Sequence, residues 1–281
     1  MTSGRTGPTR TTALLAVGML TATSLSACGG KHAQAHGMAA HPSPTVTAGS
    51  PTPTPVPPTP TPTPTTARPT PTTKASPTTS APVSATGLPP VLSKVPTSKK
   101  VVFITIDDGW EQDQDFVDFL GDNHIPITVF LLNDAGKKNY GYFRRLQQLG
   151  NPIEDHSMTH PLMTRLSYAT QKWQICQTAD IYAKQFGTRP TLFRAPYGAA
   201  NLNTRKAAKA CGMKAIFFWR ETSEHGDIAY QTAGGLQPGD IILVHFEPHM
   251  TRDFRQLLRR IYKQGFQPAA LHDYLPSADF S

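Results

Sequence analysis

Sixteen prolines and fifteen threonines fall between residues 41 and 90, many alternating as in PTPTPVPPTPTPTPTT. Few features restrict a chain more severely. Proline withholds a backbone donor and holds φ near the polyproline II value, so no helix interior or central strand forms through such a run. The segment also lacks the apolar mass for a core. It reads as a disordered, semi-rigid tether reaching on the order of 200 Å at polyproline pitch and about 50 Å as a coil. Charge divides at the same place. Residues 1–95 carry six Lys/Arg and no Asp or Glu, whereas residues 96–281 hold 21 basic and all 19 acidic residues. The net charge of +8 therefore belongs mainly to the tail, which removes the case for a nucleic-acid-binding domain. Residues 96–281 are the expected folded domain, long enough for one substantial core. The chain is expected to be a monomer.

Arg5 and Arg10 precede an apolar run, Ala13 to Leu20, which leads to Leu25-Ser26-Ala27-Cys28-Gly29-Gly30. A basic stretch, a short apolar core and small residues make a secretory signal, expected over residues 1–27. The run is too short for a permanent membrane span. LSAC followed by two glycines resembles the bacterial lipoprotein signal, and that resemblance implies a lipid on Cys28. Ordinary secretion is the alternative. A diacylglyceryl group supplies two acyl chains, the condition for stable attachment. The domain is thus expected outside the cytoplasm, tethered to a membrane through residues 28–95. In that compartment Cys176 and Cys211 are chemically able to pair, and two buried thiols are the alternative.

Hydrophobic runs alternate with helical patterns through the rest of the chain. Val101 to Ile106, Ile127 to Leu132, Ile153-Glu154, Thr191 to Phe193, Met213 to Trp219, Ile241 to Val244 and Phe266-Gln267 read as strands. Helices are expected over Phe116 to Leu120 (ending near Gly121), Tyr142 to Leu149, Tyr168 to Phe186, Leu202 to Ala210 and Phe254 to Tyr262. Seven alternations argue for a parallel sheet with outer helices. An open doubly wound sheet and a closed barrel both satisfy that pattern. Polar residues recur just after strand ends: Asp107 and Asp108, His156 and His160, Arg194, and His245. In a β/α barrel those loops meet at one face.

Each of these signals is weak alone. An acidic pair before Gly109 is commonly a strand-ending turn, and a lone HxxxH is commonly structural. The spacing of His156 and His160 nevertheless allows two imidazoles on one metal. Amide hydrolysis at neutral pH needs a stronger nucleophile than water and a proton for the leaving amine; a metal and a histidine supply these. No G-x-S-x-G elbow is present to suggest a covalent nucleophile.

TIDDG (105–109), HSMTHP (156–161), FRAPYG (193–198) and GDIILVHF (239–246) occur in an order and spacing that resemble the polysaccharide deacetylases, carbohydrate esterase family 4. The resemblance covers nearly all of residues 99–275. It implies a distorted (β/α) barrel with about seven parallel strands. It also implies that Asp108, His156 and His160 hold one divalent metal; mixed nitrogen and oxygen donors suit zinc, though such open sites accept other ions. By the same resemblance Asp107 is the general base acting on a metal-bound water, and Arg194 pairs with it and tunes it. His245 is the acid that protonates the leaving amine. The Tyr197 backbone N–H stabilises the oxyanion, Leu243 lines the acetyl pocket and Trp219 walls the sugar groove.

One region departs from the family pattern. An Asp-x-x-Asp-Trp segment, whose aspartate supports the catalytic histidine, is replaced by Trp219-Arg220-Glu221-Thr222-Ser223-Glu224-His225-Gly226-Asp227. Glu221 or Glu224 is expected to take over that support. Ala195 stands where a second proline is common, and His249, four residues after His245, is left as a rim residue. The expected activity is removal of N-acetyl groups from a polysaccharide, peptidoglycan before chitin oligomers or acetylated xylan. A non-catalytic glycan-binding module on the same scaffold is the competing reading.

Overall fold

Residues alternate between the two faces of a strand, and here that alternation sorts the core. Phe103, Phe130, Leu192, Ala215, Phe217 and Ile241 pack together on the inner, concave side of a curved sheet. Val102, Ile104, Ile106, Val129, Leu131, Ile242 and Val244 face outward, against helices. This computed structural model describes residues 87–231 and 233–275. The expected signal peptide, Cys28 and most of the expected tether lie outside the described residues.

In chain order the elements are β1 (Val91–Leu92), β2 (Val101–Asp108), α1 (Gln114–Asn123), β3 (Thr128–Leu131), α2 (Asn133–Gly136), α3 (Tyr140–Gln148), β4 (Ile153–Asp155), α4 (Tyr168–Phe186), β5 (Leu192–Phe193), α5 (Leu202–Ala210), β6 (Ala215–Phe217), β7 (Glu221–Glu224), β8 (Asp227–Tyr230), β9 (Ile241–His245), α6 (Met250–Lys263) and β10 (Gln267–Pro268). The sheet runs β1-β6-β5-β4-β3-β2-β9-β7-β8, with β10 paired to the start of β2. All pairings among these strands are parallel except β7 with β8. The result is a (β/α) barrel left open between β1 and β8. Among the described residues no helix is long and apolar enough to cross a membrane.

All seven expected strands are present, and β1, β7 and β8 are additional. The β7–β8 hairpin escaped notice because ETSE and DIAY carry few apolar residues and pack mostly at the sheet's end. The expected domain start at residue 96 also needs correction. Leu92 and Val95 are buried, and Val91-Leu92 pair with Ile216-Phe217, so the fold begins within the stretch assigned to the tether. Gly239 secures this arm. Its φ is +87°, and a Cβ there would lie 1.9 Å from the Val95 carbonyl oxygen, a position only glycine can occupy. Helix α1 runs past Gly121 and stops at His124, which adopts a left-handed conformation.

Caps fix where helices start. Asp113, Asn139, Ser167 and Asn201 accept hydrogen bonds from the first turns of α1, α3, α4 and α5, and Asn201 with Thr204 closes a reciprocal capping box. Cys176 of α4 and Cys211 at the end of α5 are joined by a disulfide. It closes a loop with a sequence separation of 35 residues. In the chain-entropy account such a loop is worth about 3–4 kcal/mol. Replacing both cysteines with serine should therefore lower unfolding stability by about that amount, read from denaturant midpoints. The parent under reducing conditions should show a similar loss.

Candidate active site

The C-terminal ends of β2 and β9 set the first two polar groups side by side. Asp107 lies in register with His245 on one side and Phe130 on the other, so all three share the inner face. Asp107 is buried, and so is Arg194, which follows β5 and reaches across the barrel. The Arg194 Nη1 donates to Asp107 Oδ1 at 2.6 Å and to Thr105 Oγ1 at 2.8 Å. Its Nε and Nη2 donate to the Phe217 and Phe218 carbonyls at 3.2 and 3.3 Å. The guanidinium also lies 4.2 Å from the Phe130 ring centroid. Burial pulls the Arg194 pKa down, and Asp107 opposes that shift. The guanidinium stays charged, because it starts from a very high value and its charge is matched by Asp107.

The second cluster comes from β2 and the loop after β4. His156 Nδ1 lies 2.8 Å from the Arg194 carbonyl oxygen. That oxygen can only accept, so Nδ1 carries the proton and Nε2 turns its lone pair to the site. His156 Nε2 is 3.7 Å from both Asp107 Oδ2 and Asp108 Oδ1, and His160 Nε2 is 3.7 Å from Asp108 Oδ1. Burial, reinforced by His156, holds His160 below its ordinary pKa, against the pull of Asp108 and Asp107. A neutral imidazole is the ligand form. The donor atoms of Asp108, His156 and His160 all lie within 4.8 Å of one another, and Asp108 Oδ1 is buried without a hydrogen-bond partner. An orphaned carboxylate oxygen facing two imidazole nitrogens fits a divalent metal. Backbone strain gathers here as well: Asp108, Ser157, His160 and Tyr197 all have positive φ.

Tyr197 is 66% exposed, with its ring 4.6 Å from that of His160. Leu243 is buried on the inner face, in register with Thr105. Half-buried Trp219 packs so close to Gly198 that a Cβ there would meet its ring at 3.0 Å. His249 is the first-turn boundary of α6, in a left-handed conformation.

The expected support for His245 is not found at Glu221. That residue pairs with Ile242, whose side chain faces outward, and its Oε2 accepts from the Gln231 N–H at 2.9 Å. Burial raises its pKa, and Asp240 adds to the rise. Glu224 is exposed near the hairpin tip. Among the described residues neither glutamate hydrogen-bonds to His245.

Two supporting groups had a sequence signal that went unused. Thr105, between Phe103 and Asp107 in the strand alternation, links Arg194 to β9 by donating to the Ile242 carbonyl at 3.0 Å. Asp155, the residue before His156, is fully buried, and burial pushes its carboxyl well above the usual range. It accepts from the Ser157 N–H at 2.7 Å and so fixes the turn between the two histidines.

Comparison with known proteins agrees with this geometry. Residues 94–216 match the polysaccharide deacetylase family model. An uncharacterized Streptomyces coelicolor protein is 34% identical over 194 residues, which cover 67% of this chain and 78% of that protein. The peptidoglycan-N-acetylglucosamine deacetylase PgdA of Listeria monocytogenes is 29% identical over 190 residues, 63% of this chain but only 39% of that longer protein. A carbohydrate esterase family 4 pseudoenzyme from Bacillus anthracis shares the fold, with a TM-score of 0.58 at 20% identity over 67% of this chain and 69% of its own. The chain belongs to the polysaccharide deacetylase family.

The Asp155 hydrogen bond carries a direct test. Asp155→Ala leaves the Ser157 N–H unpaired and should cost about 1–3 kcal/mol. Asp155→Asn keeps an acceptor and should lose less than half of that. Paired denaturation curves for the two variants check the order.

Proposed function

We propose that this domain removes N-acetyl groups from an acetylated polysaccharide by metal-assisted hydrolysis. The observation that carries the reading is Asp107, held by Arg194 between the Asp108/His156/His160 cluster and His245. Asp108, His156 and His160 would hold a divalent metal, which would supply Lewis acidity to the reaction. The chain's own residues do the rest. Asp107, oriented by Arg194, accepts a proton on the inner face of the barrel. His245, next to it on β9, delivers a proton to the departing amine nitrogen, for which imidazole is suited near neutral pH. The Tyr197 N–H stabilises the oxyanion. Leu243 receives the acetyl methyl, and Trp219 bounds the groove.

Peptidoglycan is the favoured polymer, supported by the named activity of the Listeria relative and by an expected position beside a cell wall. Chitin oligomers and acetylated xylan are the other substrates this chemistry admits. A glycan-binding role without turnover is the second reading. It is favoured by a His245 that, among the described residues, has no hydrogen-bonded carboxylate, and a pseudoenzyme shares the fold.

His160→Ala should lose bound metal and acetate release together, whereas His245→Ala should keep the metal and lose at least about a hundredfold in rate. Metal analysis beside acetate assays on acetylated glycans separates the two. A metal-free, fully active His160→Ala protein refutes the mechanism, and a parent that binds glycans without releasing acetate establishes the second reading.

We also propose that Cys28 bears a lipid and that the protein faces the cell wall from a membrane surface. Cys28→Ala should move the protein from the membrane fraction to the soluble one and abolish metabolic labelling with a fatty acid. Acyl labelling retained in that variant refutes the assignment.

A further inference from the structure

Immediately after the acidic pair of β2 the chain makes a turn that throws one large side chain outward. Gly109 has φ +110°, and a Cβ there would lie 2.7 Å from both Leu131 Cδ1 and Phe143 Cζ. The backbone is therefore pressed against β3 and α3, and Trp110 emerges at the rim, 44% exposed. The indole is exposed two residues from Asp108, where a ligand at the strand ends can reach it.

The neighbouring loop carries its partner. Helix α2 is tied to the histidine loop, since Asn133 N–H donates to the Ser157 carbonyl and Asp134 N–H to that of Met158, both at 3.1 Å. Two lysines follow. Lys137 is ion-paired with Asp134. Lys138 is exposed and makes no ion pair among the described residues; its Nζ stands 4.4 Å from the Trp110 ring centroid. Attraction to the ring holds the ammonium in place without neutralising it. Lys138 thus sets a cation, without an ion pair among the described residues, against the exposed ring of Trp110, two residues from Asp108. A carboxylate on a sugar resting against Trp110 meets that charge, which no acid among the described residues neutralises.

We propose that Trp110 and Lys138 form a subsite for a sugar bearing a carboxylate, next to the sugar that loses its acetyl group. The inference rests on the deacetylase reading and narrows its substrate to acidic saccharides. Trp110 supplies an apolar edge for the sugar ring, and Lys138 pairs with the carboxylate.

The test uses the full chain and three tetrasaccharides of equal length: neutral chitotetraose, a peptide-free peptidoglycan fragment with free lactyl carboxylates, and the same fragment with those groups amidated. Binding by calorimetry and acetate release are measured on each. The parent should bind the carboxylate form about fivefold more tightly than the amide. Lys138→Gln should erase that difference and raise KM for the carboxylate form about fivefold, with kcat and the neutral substrate unchanged. Lys138→Arg should restore the preference. If Lys138→Gln leaves the preference intact, or weakens all three ligands alike, the subsite is overturned while the deacetylase reading stands. If the preference for the carboxylate depends on Lys138 but no ligand releases acetate, the subsite stands and the deacetylase reading falls.

Discussion

A single buried ion pair organises this domain. Arg194 leaves β5 and crosses the barrel, where it bonds Thr105 and Asp107 on β2 and the carbonyls that end β6, and lies on Phe130 of β3. Its own carbonyl holds His156. One side chain thereby sets the relative position of four strand ends and of the imidazole facing the site. Burying a guanidinium and a carboxylate is costly, and removal of either partner alone strands the other charge at about 3–5 kcal/mol. An apolar plug would fill the same space at lower cost but would leave Asp107 without orientation. The pair is better explained by placement of the carboxylate than by stability.

The same economy explains where the backbone is strained. Asp108, Ser157, His160 and Tyr197 take up left-handed conformations at the strand ends, a region that non-glycine residues seldom adopt. Two of them are pinned by local bonds: Ser157 by Asp155, and His160 by the Ser157 hydroxyl at 3.1 Å. The inner and outer cores beneath them, with β9 and β3 flanking β2, supply a frame stiff enough to keep these conformations.

Much of this was legible in the sequence, for a physical reason. Buried parallel strands are nearly continuous apolar runs, so Val101 to Ile106 and Ile241 to Val244 announced themselves, and the polar residues at their ends followed. Cluster composition at Asp107, Asp108, His156, His160, Arg194 and His245 was legible only through the order and spacing of four motifs together, since each is weak alone. Less was evident wherever structure depends on long-range closure. Val91-Leu92 form a strand only because β6 offers an edge. The β7–β8 hairpin is held by α6, where Arg260 Nε donates to the Gly226 carbonyl at 3.0 Å and Gln256 reaches Asp227 at 3.1 Å. Its register sets Glu221 on the face opposite to His245, and a one-residue shift would have reversed that. No local pattern specifies such a register.

The direction of β1 decides where the described segment's ends lie. Because β1 runs parallel to β6, and β10 pairs with the first residues of β2, both ends of the described chain reach the barrel at the strands' N-terminal side. Arg205 of α5 fixes the incoming arm there through the Pro89 carbonyl at 3.0 Å. Asp107 and His245 stand at the opposite end. Neither end of the described segment crosses the face that bears them. Under the hydrolysis proposed above, a polymer laid over that face meets neither end of the described segment.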